Sequence, residues 1–462
     1  MVSVREFSAC IVMGALMGDA RLRRLCLVTV LAVLSGLLGP VASGAPTCAD
    51  GGSSLRYVVL FDPGTRVGDA EAETSAKCGT LAAYYPQIGV GVVDSSYDRF
   101  GTLMGPARAY SAEGELREQQ DGDASGVPGR APVNPLWNVE AVRAPQAHAI
   151  TTGSRDVVVG VLDSAVDGEH PELADAFDST RSADCLTPEH PEWDPDTRGT
   201  AHGTHVAGIV AAADDGRGST GVAPGVRVAS VRVVDEDGYA HPEYAVCGFM
   251  WAAEHGFEVV NSSFLVESAQ QGCTGAGSPV PQEALRRAVD HATGKGVLTV
   301  AAIGNHQLDL SANRRPDCAA VPAGLNDVVT VSAVGPDRIK SEYSSYGLGE
   351  VDVTAPGGDV RVPGDSGCVL STVPDGGYET ACGTSMAAPH VSGVAALLAS
   401  RHPDAGPREL SRLLLDQAEP LGCPAGYDRN ADTSQDALCR GFATYNGFYG
   451  HGLVNAYRAV AN

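Results

Sequence analysis

Val157-Val158-Val159-Gly160-Val161-Leu162 runs without a polar side chain and ends on Asp163. A strand with one wet face alternates apolar and polar residues. A run that does not alternate suits a strand buried on both faces, as in parallel sheets covered by helices. Val297 to Ile303 and Val328 to Val334 read almost the same way, and Val259-Val260 is a shorter piece. Val226 to Val234 is also apolar, interrupted by Arg227 and Arg232. Helical spacing lies between these runs: Val206, Ile209, Val210 and Ala213, then Leu285, Ala288, Val289 and Ala292, fall at i, i+3, i+4 and i+7. Alternating strands and helices predict an α/β fold over residues 135–462, a three-layer sandwich around a mainly parallel central sheet. In such sheets chemistry gathers beyond the carboxyl ends of the strands.

Four residues stand where that edge is expected. Asp163 closes the first strand; alone, it would be read as a turn former or a helix cap. His202 opens His202-Gly203-Thr204-His205-Val206-Ala207-Gly208. Two histidines three apart could share a metal, but no glutamate separates them and no third ligand is near. Asn305 follows the strand ending Ala301-Ala302-Ile303-Gly304, where an amide can donate to an oxyanion. Ser385 lies in Gly383-Thr384-Ser385-Met386-Ala387-Ala388-Pro389-His390, followed by the stripe Ala388, Val391, Ala395 and Leu398. This puts Ser385 at a helix N-terminus, which favours developing negative charge, although serine there is commonly only an N-cap.

Taken together, the order Asp, His, Asn, Ser on one parallel α/β scaffold matches a known arrangement of the nucleophilic triad. Asp163-Ser164, the His202–Gly208 segment and the Gly383–Pro389 segment resemble the three signature segments of the subtilisin-like serine peptidases. Tyr343-Ser344-Ser345-Tyr346-Gly347, Val353-Thr354-Ala355-Pro356-Gly357 and Gly450-His451-Gly452-Leu453-Val454-Asn455-Ala456 extend the likeness over residues 135–460. The resemblance implies a serine endopeptidase acting on protein or peptide substrates. Asp163, His202 and Ser385 would form its triad, Asn305 would serve the oxyanion hole, and His205 would be structural. It also implies a monomer that needs no cofactor. Relatives often bind structural calcium, and Asp235-Glu236-Asp237 could supply oxygen ligands; a solvated acidic turn explains the same residues, so no metal ligand is assigned.

Three positions depart from the family pattern. Ala165 stands where glycine is usual. Asn261-Ser262-Ser263-Phe264-Leu265-Val266 replaces a Ser-Leu-Gly-Gly segment, so Leu265 would fill space beside the substrate. Gly238-Tyr239-Ala240 replaces smaller residues on the opposite rim. Ser263, Leu265, Gly238, Tyr239 and Gly304 are therefore the expected substrate-binding residues, in a narrowed cleft. Two other readings follow: a maturation protease for one exported precursor, and a non-catalytic binding protein on the same fold.

The rest of the chain bears on where it works. Arg21, Arg23 and Arg24, the apolar stretch Leu25 to Leu38 and the small residues Ala42-Ser43-Gly44-Ala45 have the order of a signal peptide, assigned to residues 1–45. The apolar stretch is too short to span a bilayer, so after processing no membrane association is expected and the product would be secreted. Residues 46–104 contain two strand-like runs, Tyr57 to Phe61 and Ile88 to Val93. Residues 105–134 are polar and rich in Gly and Pro, a cleavable linker. The unit at 46–104 resembles the inhibitor-type propeptide of these enzymes, a transient inhibitor. Twelve cysteines without a Cys-x-x-Cys pair favour disulfides over zinc, with Cys368–Cys382 and Cys423–Cys439 as the short-loop pairings. A net charge of −24 repels phosphate backbones and excludes nucleic acid as an expected partner.

Overall fold

The computed structural model describes residue 48 and residues 52–113, 136–195, 197–266, 278–312, 321–362, 367–429 and 433–461. The signal-peptide assignment and linker residues 114–134 lie outside them, as do Cys273 and Cys318.

Residues 52–113 build a small antiparallel sheet. Its elements are β1 (Leu55–Leu60), α1 (Val67–Ala76), β2 (Thr80–Tyr85), β3 (Val90–Ser95), α2 (Phe100–Met104) and β4 (Ala109–Tyr110), with strand order β2-β3-β1-β4. Two strands are expected here and four are found. β4 pairs with β1 through Val58↔Tyr110 and Val59↔Ala109, so residues 109–110, assigned to the linker, belong to this sheet. A two-residue strand is too short to show any periodicity.

The larger part follows with β5 (Val158–Asp163), β6 (Ala183–Asp184), α3 (Ala201–Ala211), β7 (Arg227–Arg232), α4 (Pro242–Glu254), β8 (Val259–Ser262), α5 (Pro279–Gly294), β9 (Leu298–Ala302), β10 (Val328–Val334), β11 (Val353–Pro356), β12 (Val369–Val373), β13 (Gly377–Ala381), α6 (Thr384–Arg401) and α7 (Pro407–Asp416). Seven strands form one parallel sheet in the order β11-β10-β9-β8-β5-β7-β6. The arginines that interrupt the Val226–Val234 run sit at the two ends of β7, where they pair with Asp178 and Asp184.

Side-chain alternation explains the layers. Val158 and Leu162 of β5 join Ala245, Phe249, Leu285 and Val289 of α4 and α5, whereas Val159 and Val161 face the helices of the opposite side, α6 and α3. The small sheet repeats the device. Tyr57 and Val59 of β1 pack on Ala70 and Phe100 of α1 and α2, while Val58 and Leu60 enter the core formed with α4 and α5. From Tyr57 onward β1 is therefore buried on both faces, which is why Tyr57 to Phe61 reads as an unbroken apolar run. At this contact Arg287 of α5 donates from Nη1 to the carbonyls of Phe61 at 2.7 Å and Ile88 at 3.0 Å.

Cys368–Cys382 and Cys423–Cys439 are bonded as the sequence suggests, and Cys185–Cys247 forms a further pair that the sequence did not indicate. No described helix is long and apolar enough to cross a membrane.

The turn between β7 and α4 is fixed by charge. His241, 7% exposed at the N-cap of α4, lies 3.4 Å from Asp235 Oδ2 and 3.6 Å from Glu243 Oε1. Burial opposes charge on its ring, but the two carboxylates outweigh burial and lift its pKa to about 10. A histidine titrates near 6.5 in the unfolded chain. The stabilisation is therefore complete below about pH 6.5 and is lost as pH rises through about 10. His241→Gln is expected to lower the melting temperature more at pH 6 than at pH 10.5; equal losses at both would refute the charged pairing.

Gly160 tests the packing of β5 against the turn between α4 and β8. A Cβ there would fall 2.3 Å from Cδ2 of Phe257, whose side chain is buried. Gly160→Ala should cost about 1–3 kcal/mol in denaturant unfolding, the range for overpacking a core, and Phe257→Leu should recover part of the loss.

Candidate active site

Parallel strands deliver their ends to one edge, where Asp163 meets His202 and Asn305 meets Thr384, the residue before Ser385. Asp163 is the last residue of β5 and is wholly buried. Its Oδ1 accepts from the Ser164 N–H at 2.7 Å and the Ser164 hydroxyl at 3.1 Å, and lies 2.6 Å from His202 Nδ1. Ser164 Oγ also accepts from the Gly203 N–H at 3.1 Å and contacts Thr200 Oγ1. The serine after the aspartate thus ties the end of β5 to the first turn of α3, which carries His202. Gly203 must be small for this approach: a Cβ would lie 2.2 Å from the Ser164 carbonyl oxygen. Ala165 is fully buried and accommodated, with its carbonyl accepting from the Thr200 N–H at 2.7 Å.

The His202 side chain is 45% exposed. Desolvation disfavours its charged form, yet the charge and hydrogen bond of Asp163 prevail and hold its pKa above the ordinary histidine value. His205 is different. Its Nε2 lies 3.1 Å from the carbonyls of Val369 and Glu379, and burial pushes its pKa down to about 4, so it is a neutral, structural ring.

Ser385 is the second residue of α6, where a backbone N–H precedes the intrahelical ladder and is free to bind an anion. Its hydroxyl donates to the Ser263 carbonyl at 3.1 Å; among the described residues it makes no hydrogen bond to His202. Pro389 stands four residues on and has no N–H for the Ser385 carbonyl. Ser263 Oγ fills that place, donating to the carbonyl at 2.8 Å, and itself accepts from Asn261 Nδ2 at 2.9 Å. Asn261 Oδ1 in turn accepts from Ser392 of α6 at 2.9 Å. This buried relay locks α6 to the end of β8.

Asn305 follows β9. Its Oδ1 accepts from both the N–H and the hydroxyl of Thr384, at 2.9 and 2.8 Å. That fixes the amide orientation and turns Nδ2 outward. A Cβ placed on Gly383 would fall 3.5 Å from Asn305 Nδ2 and 3.7 Å from the Ser385 nitrogen, so two donors border one small space. Gly383 is extended at φ 166°, so its value is room and not backbone freedom. Ser164, Thr200 and Thr384 were not singled out in the sequence, although each is adjacent to or within a motif that was.

The remaining rim residues fall on two sides. Leu265, after β8, is partly buried and packs against Gly304, which has φ +104°. Gly238 and Tyr239 belong to a turn closed by Asp235, whose Oδ1 accepts from the N–H groups of Asp237 at 3.0 Å and Tyr239 at 2.9 Å. Its carboxylate is thus committed to the turn and to His241. Among the described residues no cluster of three or more His, Cys, Asp or Glu could hold a metal ion.

Comparison with known proteins agrees with this fold. The chain is 32% identical to Subtilisin NAT of Bacillus subtilis subsp. natto over 298 residues, covering 64% of this chain and 67% of that protein. Among solved structures, a lanthipeptide protease superposes with a TM-score of 0.56 at 27% identity, over 71% of this chain and 94% of its own. The epidermin leader peptide processing serine protease of Staphylococcus aureus shares the fold, with a TM-score of 0.67 at 19% identity over 88% of this chain and 99% of its own. The sequence model of the Subtilase family matches residues 154–452, and the chain belongs to that family of serine peptidases.

Proposed function

We propose that this chain is a secreted endopeptidase in which Ser385 is the nucleophile, His202 the general base and acid, and Asp163 the group that orients and stabilises the imidazolium. The observation that carries the reading is the 2.6 Å contact between Asp163 Oδ1 and His202 Nδ1 at the sheet edge that also presents Ser385. Ser385 Oγ leaves the Ser263 carbonyl, gives its proton to His202 Nε2 and attacks the substrate carbonyl. Catalytic hydrogen bonds of this kind often form only once substrate is bound. The oxyanion is received by the Ser385 N–H and Asn305 Nδ2. His202 then protonates the leaving amine, and water releases the acyl-enzyme by the same route.

Secretion is supported by the signal-peptide pattern and by disulfides such as Cys185–Cys247, Cys368–Cys382 and Cys423–Cys439, which suit an oxidising compartment. Residues 46–113 are read as a propeptide and transient inhibitor. Support comes from their separate sheet and its seat on α4 and α5, followed by the polar stretch 114–134. Leu265 against Gly304 favours a narrow cleft. With the likeness to a lanthipeptide protease, it makes a maturation protease for one exported precursor the second reading.

A fluorophosphonate probe should label the wild type at Ser385 and leave Ser385→Ala unlabelled. N-terminal sequencing should find the secreted wild type cut before about residue 136 and Ser385→Ala uncut; equal processing of both would remove autocatalysis.

The pH profile tests Asp163. Only neutral His202 acts as base, and its pKa is raised, so kcat/KM should fall on the acid side of a midpoint above the ordinary histidine value. Asp163→Asn removes the cause of that rise. The midpoint should move to lower pH while kcat drops by a factor of the order of 10⁴.

A further inference from the structure

We propose that Leu265 sets which side chain the enzyme accepts on the residue whose carbonyl is cleaved, and that it restricts that residue to glycine, alanine or serine. The inference rests on the reading of Ser385 as nucleophile.

Three contacts locate the scissile residue. Its carbonyl carbon must lie in reach of Ser385 Oγ, and its oxygen must enter the space at Gly383 bordered by Asn305 Nδ2 and the Ser385 nitrogen. The Cα attached to that carbonyl then lies between two chain segments. One is Ser263–Val266 beyond β8, held to the nucleophile by the two bonds between Ser263 and Ser385. The other is Ile303–Asn305 beyond β9, held to α6 through Thr384. The substrate side chain has to leave between these walls.

Leu265 closes that exit. A Cβ on Gly304 would meet Leu265 Cδ1 at 2.7 Å, and the next atoms, His306 Nδ1 and Leu265 Cγ, lie at 3.9 Å. The space in front of Gly304 is thus taken by one isobutyl group. Gly304, at φ +104°, has no side chain of its own to contribute. The leucine cannot slide aside with its backbone, because Phe264 and Val266 on either side are buried and the Val266 N–H bonds to the Val321 carbonyl at 3.0 Å. A side chain no larger than a methyl or hydroxymethyl group ends before this obstruction. A leucine or phenylalanine must displace it.

The test uses the processed, secreted enzyme and Leu265→Gly, with active sites counted by fluorophosphonate titration. Fluorogenic peptides differ only at the scissile residue, which is Gly, Ala, Ser, Leu, Phe or Lys. For the wild type, kcat/KM with Ala should exceed that with Phe by about 100-fold, the scale at which a pocket discriminates by volume. Leu265→Gly should raise the Phe-to-Ala ratio by a similar factor, roughly 100-fold. A labelled wild type that cleaves after Phe as fast as after Ala overturns the gate and leaves the peptidase reading intact. So does a variant with an unchanged ratio. Absence of labelling at Ser385 overturns the peptidase reading, and the gate with it.

Discussion

A single carboxylate oxygen organises the reactive edge of this molecule. Asp163 Oδ1 sits at the end of the interior strand β5, out of water, and accepts from the main chain and hydroxyl of Ser164 while facing His202. A buried carboxylate oxygen in that setting is tolerable because donors meet it. Those donors belong to the turn after β5 and to α3, so satisfying the oxygen also fixes where the imidazole stands. The parallel sheet makes this possible: β5, β8 and β9 end together, and Asp163, Ser263 and Asn305 come from three adjacent strand ends.

Rigidity on the nucleophile side comes from small hydroxyl residues. Thr384 orients the Asn305 amide and also accepts from the Gly304 N–H at 3.2 Å. Ser263 supplies the hydrogen bond that Pro389 removes from the first turns of α6. The proline therefore frees a carbonyl that a side chain of the neighbouring strand end then holds. Both arrangements connect α6 to the sheet at the point where charge would develop, and neither depends on a long flexible side chain.

Much of this was legible in the sequence, for identifiable reasons. β5, β9 and β10 announce themselves because strands covered on both faces cannot hide their composition. The triad candidates and Asn305 stand out because each ends or begins such an element. β12 and β13 were not seen: Ser371, Thr372, Glu379 and Thr380 give no apolar run, and the hairpin is defined by pairing between strands. The boundary at residue 105 failed for a similar reason, since β4 exists only as the partner of β1. Cys368–Cys382 and Cys423–Cys439 were readable from short separation, whereas Cys185–Cys247 joins residues 62 apart and needs the fold to bring them together. The turn of the Ser385 hydroxyl toward Ser263 is a rotamer choice that no spacing encodes.

The seat of the small sheet has a consequence for its sequence. Arg287 grips it largely through main-chain oxygens, those of Phe61 and Ile88. Every amino acid carries that oxygen. What must persist is the shape of the bend, including Gly89, at φ +62°, where a Cβ would lie 2.6 Å from the Phe61 carbonyl oxygen. That grip is indifferent to the lettering at the two gripped positions, so the sequence-specific part of the seat falls to the apolar packing of Val58 and Leu60 on α4 and α5.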